Sequence, residues 1–183
     1  MDLTYLVTRA QQGDEQAFAS LAVAVGNRLH AVSKRILRDA DLAEDATQQA
    51  FITMWQELPK LRDPHRFEAW SYRVLVRACY AEGRKTRRWA PNLHRLLDPD
   101  SIAGDEFTSI RDRDQVERGF RRLSIEHRAV LVLRYYLDQT PDEIAETLGI
   151  PIGTVRSRLF YGMQALRTAI EADERPSARE ATS

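Results

Sequence analysis

Residues 140–167 read TPDEIAETLGIPIGTVRSRLFYGMQALR. Thr140 suits an N-cap, Pro141 the first helical position, and Glu143 completes a capping box three residues after the cap. Gly149 then stops a short helix where a left-handed residue is wanted. A second helix is expected to open at Gly153-Thr154. This is the shape of a helix-turn-helix, whose second helix is sized for the DNA major groove. It points to a nucleic-acid partner.

Working outward, residues 116–171 form one helical unit. Ser124 is a candidate cap for a helix through Val130, Leu133 and Leu137. Ile144 and Leu148 face inward on the next helix, and Val155, Leu159, Leu166 and Ile170 line one side of the last. The other side of that helix carries Arg156, Ser157, Phe160, Tyr161 and Gln164, with Thr154 and Arg158 at its edges. Arg pairs with guanine, and apolar groups meet thymine methyls. Phe160 and Tyr161 either touch DNA or pack on a neighbouring helix or partner.

Residues 5–88 read as a second helical unit. Asp41 and Glu44 give a capping-box pattern for a helix from Leu42 to Leu58, with its acids at the favourable end of the dipole. After Pro64, a helix is expected from Arg66 to Arg88. On its wheel Phe67, Ser71, Val74, Leu75 and Ala78 share one side. Arg73, Arg77, Tyr80, Arg84 and Arg88 share the other, flanked by Lys85 and Arg87, with Trp70 at the border. Cations track phosphates and rings stack on bases, so this stripe suits a single strand. A plain solvated basic face is the competing reading.

Between the units, residues 89–115 read as a flexible acidic linker. Net charge over the chain is zero, which alone argues against a nucleic-acid binder. The distribution answers that: residues 1–90 hold 14 Lys/Arg against 11 Asp/Glu, whereas residues 91–115 hold 3 against 6. The tail, residues 172–183, is polar and expected to be disordered. The fold class is therefore all-α: two small helical domains, the second with a helix-turn-helix. Apolar residues at 43% are enough for a core, and no run of eighteen of them exists to span a membrane. With no secretion signal and a single cysteine, Cys79, a cytoplasmic protein is expected. His30, His65, His94 and His127 lack metal-ligand spacing and no phosphate-cradling glycine loop occurs, so no metal, cofactor or catalytic residue is expected.

The whole of residues 5–170 resembles a bacterial sigma-70 family factor of the extracytoplasmic-function (ECF) group. DLAEDATQQAFITMWQEL (41–58) resembles the family's core-polymerase-binding helix, and FEAWSYRVLVRACYAEGRKTRR (67–88) its promoter-melting and −10-reading helix. YYLDQTPDEIAETLGIPIGTVRSRL (135–159) resembles its −35-reading helix-turn-helix. The resemblance implies an initiation factor, not an enzyme, that directs core RNA polymerase to promoters. It implies that Asp41, Glu44, Asp45, Gln48, Gln49, Phe51 and Trp55 meet the β′ clamp helices and that the second unit meets the β flap. Arg66, Phe67, Trp70, Arg73, Arg77, Tyr80, Arg84, Lys85, Arg87 and Arg88 would hold single-stranded −10 DNA. Thr140, Thr154, Arg156, Ser157, Arg158, Phe160, Tyr161 and Gln164 would hold duplex at −35. An anti-sigma factor is the implied regulator. The chain departs from the family's usual residues at Arg77, Ala81, Phe160, Tyr161 and Met163. Two other readings compete: a stand-alone two-domain regulator of transcription, and a DNA-processing enzyme.

Overall fold

A computed structural model describes residues 2–89 and 116–174, apart from 118. Its helices are set by caps. Asp2 accepts from the Thr4 N–H at 2.9 Å to open α1 (Leu3–Gln11), and Asp14 accepts from Ala17 at 3.0 Å to open α2 (Glu15–Leu37). Helix α2 ends at Arg38 in the left-handed conformation, φ +61°. The chain leaves it extended at Asp39, whose carboxylate accepts from Leu42 at 2.9 Å. Helix α3 therefore runs Ala40–Glu57, two residues ahead of the expected start. Asp39, not Asp41, is the cap, because the left-handed stop of α2 brings Asp39 to the first free N–H groups. Asp41 lies within the first turn instead.

Turns of 3-10 helix at Leu58–Lys60 and Pro64–Arg66 join α3 to α4 (Phe67–Trp89). Arg66 thus belongs to the turn before the helix. Gln11 pins this connection, its side-chain amide donating to the Leu58 carbonyl at 3.1 Å and the Leu61 carbonyl at 2.6 Å.

Ala43, Ala46 and Ala50 form a fully buried stripe on α3. Their small side chains let α3 lie close against α2 and α4, over Val32, Ile36, Leu75 and Cys79. Within this apolar contact, Ser33 and Thr47 satisfy each other at 2.9 Å, as buried hydroxyls must. A smaller cluster of Leu6, Val7, Leu21, Leu58 and Phe67 seats α1 at the opposite end.

Residues 116–117 and 119–122 are helical and lead into α5 (Ile125–Tyr135), capped by Ser124 as expected. Helix α6 (Pro141–Leu148) carries the full capping box: Thr140 Oγ1 accepts from the Glu143 N–H, and Glu143 accepts from the Thr140 N–H at 2.6 Å. Gly149 takes φ +66° and ends the helix. Helix α7 (Ile152–Glu174) opens one residue before the expected Gly153, because the Pro151 carbonyl already accepts from Thr154 and Val155. It also passes Ala172, where a tail was expected to begin. The rest of that tail and the linker beyond Trp89 lie outside the described residues.

The chain's second unit is docked on its first: α5 packs on α2 and α4, and α6 packs on α4. One apolar cluster runs without a break from Leu29, Val32 and Ile36 to Val130, Leu133, Ile144 and Val155.

Substituting Thr140→Ala should cost about 1 kcal/mol in urea unfolding followed by circular dichroism. The Thr140 N–H and hydroxyl hold the Glu143 carboxyl below the usual carboxylate range. That contribution is therefore present above the unfolded value and fades as pH falls through the lowered one, so the Thr140→Ala deficit should narrow in acid.

Candidate polymerase and nucleic-acid interfaces

Helix α3 turns one long stripe outward. Asp41, Glu44, Asp45, Gln48 and Gln49 are exposed, with the Gln48 amide donating to Glu44 at 3.2 Å. Further along, Ile52 is 51% exposed and Trp55 36%, the Trp55 ring resting on Phe18 at 4.9 Å between centroids. Phe51 is half-buried and packs toward Gly26. Ile52 was missed in the sequence, although its spacing from Gln48 and Trp55 puts it on the same stripe. The surface is acidic and polar at one end and apolar at the other.

On α4, Phe67, Ser71, Val74, Leu75 and Ala78 are buried as the wheel requires. The opposite stripe does not stay together. Arg77, Arg84 and Lys85 are exposed, and Lys85 pairs with Glu82 at 2.7 Å. Arg73, however, reaches the second unit: its Nε donates to the Thr147 carbonyl at 2.8 Å and its Nη2 to the Glu146 carbonyl. Arg66 forms an ion pair with Glu146. Tyr80 is largely enclosed, with Arg158 of α7 beside its hydroxyl. Burial pushes that phenol up to about 12 against the opposing pull of Arg158. The expectation of one continuous basic-aromatic face is corrected here, because docking takes two of its members, Arg73 and Tyr80, as well as Arg66 from the turn before it. Trp70 is half-buried with its ring 5.9 Å from Phe67, so it supports the core as well as bordering the stripe. The side chains of Arg87 and Arg88 lie outside the described residues.

On the helix-turn-helix, Arg156, Ser157 and Gln164 are exposed and Thr154 is half-buried. Ser157 returns its hydroxyl to the Thr154 carbonyl at 3.0 Å. Phe160 and Tyr161 are 65% and 58% exposed, edge to face at 5.3 Å. Of the two readings left open for them, packing on a neighbouring helix is not seen among the described residues. Thr140 spends its side chain on the cap.

Residues 21–89 match sigma-70 region 2, and residues 119–168 match sigma-70 region 4. The ECF RNA polymerase sigma factor SigL of Mycobacterium tuberculosis is 33% identical over 140 residues, which cover 75% of this chain and 79% of that one. This chain belongs to the sigma-70 family, in its ECF group. The RNA polymerase sigma-H factor of Pseudomonas aeruginosa is 29% identical over 191 residues, 96% of this chain and 95% of its own. The fold is shared with the sigma factor RpoE of Bartonella quintana, solved with the anti-sigma factor NepR. There the TM-score is 0.67 at 21% identity, over 85% of this chain and 98% of that one. The protein is a promoter-directing transcription initiation factor that works with core RNA polymerase, and it is not an enzyme. Among the described residues no helix is long and apolar enough to cross a membrane, and no group of acidic, histidine or cysteine side chains could hold a metal.

Cys79 is fully buried in α4, and burial pushes its thiol up to about 12. A thiolate is the reactive species, so Cys79 should resist a disulfide exchange reagent at neutral pH. It should titrate at one equivalent only once the chain is unfolded in denaturant.

Proposed function

We propose that three faces of this sigma factor divide the work of initiation. The observation that carries the reading is the α6–α7 hairpin. Its capping box and left-handed glycine fix the angle at which α7 leaves, and Arg156 and Ser157 are exposed in the first turns of that helix. A helix presented in this way reads base edges and phosphates in a major groove. Arg156 and Arg158 supply the charge at the −35 element. Thr154, Ser157, Phe160, Tyr161 and Gln164 supply shape and hydrogen bonds, and the Thr140 end lies toward the backbone.

On the first unit, Arg77, Arg84 and Lys85 track the phosphates of the melted −10 strand, joined by Arg66, Arg73, Arg87 and Arg88. Phe67, Trp70 and Tyr80 line the path of its bases. Unstacked bases need such surfaces to offset the few kcal/mol that melting costs per step. The outward stripe of α3 engages the β′ clamp helices: Asp41, Glu44, Asp45, Gln48 and Gln49 by polar contacts, Phe51 and Trp55 by apolar ones, with Ile52 added to that set. The second unit meets the β flap, and the acidic linker follows a channel otherwise meant for nucleic acid. An anti-sigma factor covering these faces, and a cytoplasmic location, complete the reading.

Pull-down with purified core polymerase, followed by run-off transcription from a genomic promoter pool, tests the assignment. Binding with discrete new start sites is expected; absence of binding would overturn it. Arg156→Ala should abolish the footprint over −35 while retaining polymerase. Arg77→Ala and Arg84→Ala should each lower the salt dependence of single-strand binding, by about 0.7 in the log–log slope, if each neutralises one phosphate. Unchanged slopes would remove them from the strand's path.

A further inference from the structure

The region 2 match begins at residue 21, so α1 (Leu3–Gln11) lies ahead of it. Its packing is specific all the same. Gln11, the last residue of α1, aims its side-chain amide at the connection between α3 and α4. An amide NH2 carries two hydrogens, and two carbonyls meet it there, Leu58 at 3.1 Å and Leu61 at 2.6 Å. Pro59 and Pro64 remove two N–H donors from this connection. Its own short turns bond Leu61 to the Leu58 carbonyl at 3.0 Å and Arg66 to the Asp63 carbonyl at 3.1 Å. Gln11 brings donors from outside to a backbone short of them.

The rest of α1 works toward the same end. Leu6, Val7 and Ala10 pack with Leu58 and Phe67, and Leu61 and Trp70 lie against that cluster. At the start of α1, Thr4 Oγ1 stands 3.4 Å from His65 Nδ1. One helix thus spans the connection, from Leu58 at one end to His65 at the other. Its own end is tied as well, because Arg9 pairs with Asp14, the cap of α2.

What is held is the approach to α4. Lys60, Arg62, His65 and Arg66 are exposed on this connection, and Arg66 and Phe67 open the set assigned to the −10 strand. The outward stripe of α3 is set by a different cluster, its alanines packed with Leu75 and Cys79.

We propose that Gln11 is a positioning residue for single-strand capture: it braces the Leu58–Arg66 connection, so that the groups at the start of α4 meet the −10 strand in one register. The positioning rests on the −10 assignment made under Proposed function; the brace does not. Without the brace, the connection has to be ordered as the strand arrives, and that cost falls on binding. A loose edge also accepts the strand in several registers, which erodes base preference.

Hydrogen exchange in the full chain reads the brace directly, in the peptide covering residues 58–66. Gln11→Glu keeps the size of the side chain but turns oxygens toward both carbonyls. It should speed exchange in this peptide about tenfold, with helicity kept, as expected for the loss of hydrogen bonds. Gln11→Lys restores a donor and should return exchange toward the original rate. Gln11→Met removes the donors without adding charge, and carries the test if Gln11→Glu folds poorly. Equal exchange in all four chains would overturn the brace.

Holoenzyme assembled with purified core polymerase is then offered random-sequence single-stranded DNA, and the retained strands are sequenced. The unchanged chain should enrich a preferred sequence. Gln11→Glu should still hold polymerase, but retain about tenfold less strand and show a flatter preference; Gln11→Lys should restore both. A structural loss alone lowers retention of every sequence alike, so an unchanged preference in Gln11→Glu would overturn the positioning. If the unchanged holoenzyme shows no preference, the −10 assignment and the positioning fall together, while the brace is still decided by hydrogen exchange.

Discussion

The carbonyls at the ends of helices α2 and α6 determine how this molecule is put together. Every helix end leaves acceptors without intrahelical donors, and burying them unpaired is costly. Here two of those ends turn inward, toward the boundary between units, and each receives an arginine from the other side: Arg128 at Leu37, and Arg73 at Glu146 and Thr147. Arg128 is itself buried, and a buried cation without a partner costs more than the pair is worth. The exchange therefore sets the register of α5 against the end of α2, and Arg38 reinforces it from the same helix end by pairing with Glu117.

Apolar packing follows that register. The alanine stripe of α3 brings α2 and α4 close enough together to form one surface, and that surface accepts Ile125 at Gly83. The cluster holding Val32 and Ile36 continues into Val130, Leu133 and Val155, so the interface is continuous with the core on both sides. Burial supplies most of the attraction. The arginines supply direction, since apolar contact alone would tolerate several orientations.

Local signals in the sequence were read well. The Thr140–Glu143 box, the Gly149 stop, the Ser124 cap and the buried side of α4 each depend on residues within one or two turns. The start of α3 was misread because Asp39 and Asp41 are both good caps, and only the left-handed Arg38 decides between them. Nothing in the composition announces that an arginine will adopt φ +61°. The fate of Arg73 and Tyr80 was out of reach for a different reason. A helical wheel describes one helix, and it cannot show that the second unit packs over Tyr80 and takes up Arg73. Arg73 finds its acceptors 73 and 74 residues further along the chain. Gly83 and Ile52 are intermediate cases. A glycine inside a helix signals a close approach without naming the neighbour, and an isoleucine on a polar stripe signals a surface without naming what it meets.

The same physics explains why arginine serves both within the docked chain and against DNA. A helix end offers about half an elementary charge spread over several carbonyls, and a cation there gains roughly 0.3–1 kcal/mol at an exposed site. A phosphate offers a full charge and a bidentate geometry that guanidinium matches. Arg73 is therefore held by an acceptor weaker than the one it is assigned to meet, and the docked state is held by several such contacts added to apolar burial. No single phosphate outweighs that sum. The contact between the units is thus held by many modest interactions rather than by one strong one.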